Sequence, residues 1–170
     1  MRDVRSSCEQ RQLSGSDELA FVTFAVILGT VRNQVSSVSS MQAHVDPITR
    51  AVVQHRLSAI VAEMGEAMLR TSYSQILNSS RDFSLAICDV QARLIAQADH
   101  IPVHVGALPW ATRAVEERIR DVQPGDVILM NDPYHGGSHL PDVTAFVPVF
   151  DGGKRLFWTI VRAHQSDIGG

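Results

Sequence analysis

The chain has 170 residues and a formal net charge of −3, with 45% apolar and 19% charged residues. This is the usage of one ordinary globular domain, or of one large piece of a bigger one. The slightly acidic balance, without charged runs or interleaved aromatics, gives no reason to expect nucleic acid or an acidic membrane as partner.

Two cysteines, Cys8 and Cys88, lie too far apart for a C-x-x-C pattern, so they build neither a disulfide framework nor a thiolate metal site. A reducing, cytoplasmic setting follows as the default. Residues 1–45 are expected to be an N-terminal extension, and residues 46–170 the domain. Within the extension, Leu19 to Val31 is an uncharged run of about 13 residues, short of the roughly 18 that span a bilayer. Three readings of it stay open: an appended or mis-started segment, with the true start at Met41; a signal peptide and export; or a genuine helix or tail.

Asp46-Pro47 is a helix start, with Asp at the N-cap and Pro at the first helical position. Val53, Leu57, Ile60, Val61, Met64 and Met68 follow at helical spacing, and the helix is expected to end near Thr71–Ser74. After a turn at Asn78-Ser79-Ser80, Phe83, Leu85 and Ile87 alternate with Ser84, Ala86 and Cys88 as a strand. Asp89 to Ala92 turns the chain into a hairpin partner at Leu94-Ile95-Ala96. Ile101 to Pro109, with two prolines and a glycine, reads as irregular. In an extended segment His100, Pro102 and His104 would point the same way.

Leu108, Ala111, Ala114, Val115 and Ile119 predict a second helix closed by Pro124-Gly125. Val127 to Met130 is a short, continuously apolar strand expected in a buried position. Val143 to Phe150, a turn at Asp151-Gly152-Gly153, and Leu156 to Val161 form a second hairpin. The fold expected is α+β: helices packed on antiparallel hairpins, as a truncated part of a larger domain, because the chain stops in a loop that has just begun.

The chemistry concentrates in Asn131-Asp132-Pro133-Tyr134-His135-Gly136-Gly137-Ser138-His139-Leu140-Pro141-Asp142 and in Arg162-Ala163-His164-Gln165-Ser166-Asp167. These segments hold three of the seven histidines. Antiparallel pairing in the second hairpin should set Val143 near Arg162–Ala163 and so carry His164 back to His139 and Asp142. Two imidazoles and a carboxylate leave coordination positions open on a divalent metal, as catalytic sites need. Asp132 and Asp167 are candidates for a fourth ligand or for orienting an imidazole. His100 and His104 could line a substrate cleft or move protons, and Arg81 could bind an anionic substrate group. Turn caps and backbone-paired histidines are the structural alternative for the motif residues, a structural role for His100 and His104, and an exposed ion pair for Arg81. No P-loop, G-x-G-x-x-G, G-x-S-x-G or H-E-x-x-H pattern occurs, so nothing in the chain marks an ATP site.

The segments SRDFSLAICD, LIAQADHIPVHVGALP, PGDVILMNDPYHGGSHLPDVT and RAHQSDIGG resemble the hydantoinase B/oxoprolinase family. That family includes N-methylhydantoinase B subunits, acetone carboxylase alpha subunits and the C-terminal half of 5-oxoprolinases. The resemblance runs from about Asp46 to Gly170. It implies a much longer protein that works in a hetero-oligomer with a hydantoinase A-type subunit, which binds ATP. It implies hydrolysis of an activated cyclic amide or carboxylation of an activated ketone. It also implies a divalent metal, Mn²⁺ before Zn²⁺, at His139, Asp142 and His164. Asp167 is carried as a catalytic candidate beside them. Many relatives have a second histidine directly after His164, where this chain has Gln165, which makes Gln165 a candidate for substrate contact. A chain that only docks on a partner without catalysis, and an exported metal-binding protein, are the competing readings.

Overall fold

The computed structural model describes residues 45–98 and 101–168. The elements in chain order are α1 (Pro47–Thr71), α2 (Gln75–Asn78), β1 (Phe83–Asp89), β2 (Leu94–Ala98), α3 (Pro102–Arg118), β3 (Ile128–Met130), a 3-10 turn (Pro133–His135), β4 (Asp142–Asp151) and β5 (Lys154–His164). The five strands form one antiparallel sheet in the order β2-β1-β5-β4-β3. The α+β class and the antiparallel hairpins expected from the sequence are therefore present.

Asp46 caps α1, its carboxylate accepting from the amides of Ile48 and Thr49. From Ile60 onward α1 lays Val61, Met64 and Met68 on one face of the sheet, against Phe83, Leu85, Ile87 and Val161. Val53, expected on that buried face, is about half exposed.

On the other face, Leu108, Ala111 and Val115 of α3 pack on Ala86, Cys88, Phe146, Trp158 and Ile160. Strand β1 is thus buried along its whole length. Each fully buried large apolar side chain contributes about 1.5–3 kcal/mol. Glu116 bolts the end of α3 down, accepting from Arg155 (2.5 Å) and from the Trp158 indole (2.6 Å).

Three sequence expectations need correction. Residues 102–109 are helical rather than irregular. Pro102 sits in the first turn, where its missing N–H costs nothing. Burial of Leu108, Ala111 and Val115 outweighs the roughly 3 kcal/mol cost of Pro109 in the interior. The helix also stops at Arg118, well before Pro124-Gly125, where Ile119 turns extended. The apolar strand at Ile128–Met130 is an edge strand with Leu129 exposed, since a short apolar run fits an edge as well as a centre.

His100, Cys8 and the Leu19–Val31 run lie outside the described residues. No described helix is long and apolar enough to cross a membrane.

Candidate metal centre

The β4–β5 hairpin turns on Gly152-Gly153, both with positive φ (54° and 79°), the two-residue loop that suits antiparallel strands. From that turn the register runs back to place Asp142 opposite His164 and Val143 opposite Ala163, as the sequence argument required. Cross-strand partners share a face, so Asp142 and His164 both point to the α3 side of the sheet.

Asp142 is fully buried. One carboxylate oxygen lies 2.7 Å from His164 Nδ1; the other accepts from the His139 amide at 2.9 Å and lies 3.2 Å from His139 Nδ1. Candidate ligand atoms of His139, Asp142 and His164 all fall within 4.8 Å of one another. The His139–Asp142 segment is closed by the Asp142 amide donating to His139 O (3.0 Å) and is tied to the start of its motif by Asn131 donating to Leu140 O (2.9 Å).

Burial by itself would raise the Asp142 carboxyl. The His164 hydrogen bond, the His139 amide and the nearby imidazoles outweigh it and hold the group below the ordinary carboxylate range. The anion is therefore the stable form, as a ligand must be.

His104 enters from the first turn of α3, whose start is tethered by Ser84 Oγ donating to Ile101 O (3.3 Å). It is buried, with Nε2 3.4 Å from Asp142 and 3.9 Å from Asp82. Its Nδ1 has no hydrogen-bond partner. Burial keeps the imidazole below its ordinary value, against the opposing pull of Asp142 and Asp82. Two carboxylates facing Nε2 place the proton of the neutral ring there.

Among the described residues, the ligand atoms that converge are those of His139, Asp142 and His164. Asp132 caps the 3-10 turn through the Tyr134 amide (2.9 Å) and binds His135 Nδ1. Arg81 is exposed in a left-handed backbone conformation at φ 52°. Gln165 donates its backbone N–H to Pro141 O at 2.9 Å, bracing the turn before Asp142, and Asp167 is exposed.

Two contributors escaped the sequence reading. Asp82 faces His104, and its carbonyl takes the His164 amide at 3.0 Å. Arg162 is fully buried beneath the centre. A lone cation at the end of the apolar run Leu156–Val161 was the available signal for it.

A sequence profile described as hydantoinase B/oxoprolinase matches residues 46–170. The caprolactamase subunit beta of Pseudomonas jessenii is 41% identical over 74% of this chain and 22% of its own length. 5-Oxoprolinase 1 of Arabidopsis thaliana is 37% identical over 82% of this chain and 11% of its own length. The chain thus spans between about a tenth and a quarter of the length of these relatives. The crystal structure of ATP-dependent caprolactamase from Pseudomonas jessenii is similar at TM-score 0.59 and 34% identity, over 75% of this chain and 22% of that one. A nucleotide-free acetone carboxylase is similar at TM-score 0.68 over 89% of this chain and 21% of that one; at 20% identity the likeness is one of fold. With the match running through both motif segments, the chain belongs to the hydantoinase B/oxoprolinase family.

Proposed function

We propose that this chain carries the metal-binding portion of the B component of an ATP-dependent amidohydrolase acting on cyclic amides. An A-type partner subunit would bind the ATP. The observation that carries the reading is the hairpin register that brings His139, Asp142 and His164 together. Relatives named 5-oxoprolinase and caprolactamase subunit beta support the reaction class.

The donor set fits the ion that the family resemblance implies. Two imidazoles and one carboxylate suit Mn²⁺ or Zn²⁺, and the carboxylate is already ionised and buried. When bound, such an ion polarises a carbonyl or phosphoryl oxygen. The chain's own residues do the rest. Asp142 anchors both histidines. His104 keeps its Nε2 proton against Asp142 and Asp82 and so fixes the carboxylate's orientation. Exposed His139 leaves the outer side open to a substrate.

The test begins with calorimetric titration of Mn²⁺ and of Zn²⁺ into the 170-residue chain and into His139→Ala. One ion per chain is expected, bound at least about tenfold more weakly by the variant. Equal, weak binding by both would remove the reading. Turnover is then measured on hydantoin and 5-oxoproline with an A-type subunit and ATP. Tight metal binding without turnover would favour a chain that only docks on its partner. Beyond the family resemblance, ketone carboxylation has only a likeness of fold in its favour, and bicarbonate-dependent loss of acetone in the same mixture would establish it instead.

A further inference from the structure

The centre has a second layer, built around Arg162. This residue stands in the middle of the sheet, opposite Ser84 on β1 and Thr144 on β4, two positions before His164 and on the same face. It is fully buried. Its guanidinium donates through Nε to Thr144 Oγ1 (2.8 Å), and through its two terminal nitrogens to Ser138 Oγ (3.1 Å) and Gly136 O (2.6 Å). All three acceptors are neutral. No carboxylate accepts a hydrogen bond from it, and only the nearby charge of Asp142 opposes the cost of burying the cation, so apolar packing alone gives no reason for an arginine here.

Two of its three contacts fall on the loop that delivers His139. That loop cannot move toward α3. A Cβ on Gly136 would stand 2.4 Å from the Ala111 backbone nitrogen, and one on Gly137 would stand 2.6 Å from Asp132 O. The loop is clamped between the α3 backbone and the arginine, and His139 begins one residue after Ser138. The three candidate ligands are consequently held in different ways. Asp142 and His164 are fixed by strand pairing. His139 is exposed, and its backbone is tethered by the bonds from its amide to Asp142 and from the Asp142 amide to its carbonyl.

We infer that Arg162 is a positioning residue that holds the 136–138 loop so that His139 meets Asp142 and His164. The inference rests on the metal reading above for its functional consequence, but not for its structural content.

A double-mutant cycle tests it: wild type, Arg162→Met, His139→Ala and the double variant, each titrated with Mn²⁺. Arg162→Met should weaken Mn²⁺ binding about 10–100-fold. The double variant should bind no more weakly than His139→Ala, since the arginine acts through that histidine. Penalties that multiply, or an Arg162→Met variant that binds like wild type, would overturn the inference. Arg162→Lys keeps the charge but not the fork of donors, and should fall between wild type and Arg162→Met; it also carries the cycle if the methionine variant does not fold.

Hydrogen exchange supplies a readout independent of metal. Without Arg162, the amides of Gly137 and His139 should exchange faster while those of β4 and β5 hold. Loss of protection across the whole sheet would mean a general structural role and would sink the inference. If wild type and His139→Ala bind Mn²⁺ equally weakly, the metal reading fails, and exchange still decides what Arg162 holds.

Discussion

Individual residues here are constrained by what surrounds them more than by their own type. Gly136 has φ 92° and lies against the α3 backbone, so Gly136→Ala meets both backbone strain and a clash. A loss of about 1–3 kcal/mol is expected in urea denaturation, with weaker Mn²⁺ binding because the loop is displaced. Cys88 is the opposite case, a reactive side chain made inert. Burial pushes its thiol up to about 11, only partly opposed by a hydrogen bond with Thr112. At neutral pH the peptide containing Cys88 should resist alkylation in the native protein and label on unfolding, which mass mapping would show. The strand alternation from Phe83 to Cys88 already points this way, because a cysteine alternating in an apolar strand is ordinarily core. Sequence pattern could not reach Arg162 in the same way, since an arginine near the end of an apolar strand reads as a snorkelling surface residue until the loop that covers it is seen.

At the level of elements, the hairpin was the legible part. Gly152-Gly153 fixes the turn, the turn fixes the register, and the register sets Asp142 against His164; counting residues was enough. The helical setting of His104 was hidden because residues 102–109 carry two prolines and a glycine, which look like loop when packing is unknown. The strand Ile128–Met130 was misplaced for a related reason: three apolar residues carry no periodicity that separates an edge from a centre. The junction of α3 with β5 gives a prediction of its own. Glu116→Ala removes the acceptor for both Arg155 and the Trp158 indole and leaves two donors under a helix. A loss of about 1–3 kcal/mol is expected by chemical denaturation, with the Trp158 fluorescence altered in the native state.

For the molecule as a whole, acid is the expected weakness. His104 is held below its ordinary 6.5 by burial. Its neutral form is the folded form, so the unfolded chain takes up the proton first. The contribution is complete above about pH 6.5 and is lost as pH falls through the lower folded value. Asp142 and Asp89 are held below 3.8, so their contribution is complete above that value and is lost on further acidification. Asp89 owes this, against its burial, to bonds from the Arg93 and Gln91 amides and the Arg93 side chain. Denaturant midpoints of the metal-free chain should therefore drop in two stages, first below about pH 6.5 and again below about pH 4. A midpoint that rises on acidification would contradict this assignment of charges.

The candidate centre also runs from wet to dry across a few ångströms. The His139 side chain is 69% exposed, His164 is 28% exposed and Asp142 is closed off completely. Such a gradient has a kinetic meaning: traffic is one-sided. An ion would arrive hydrated at the His139 rim and shed water stepwise toward the carboxylate. It would leave by the same door, so a chelator in solution would strip it without waiting for the sheet to unfold.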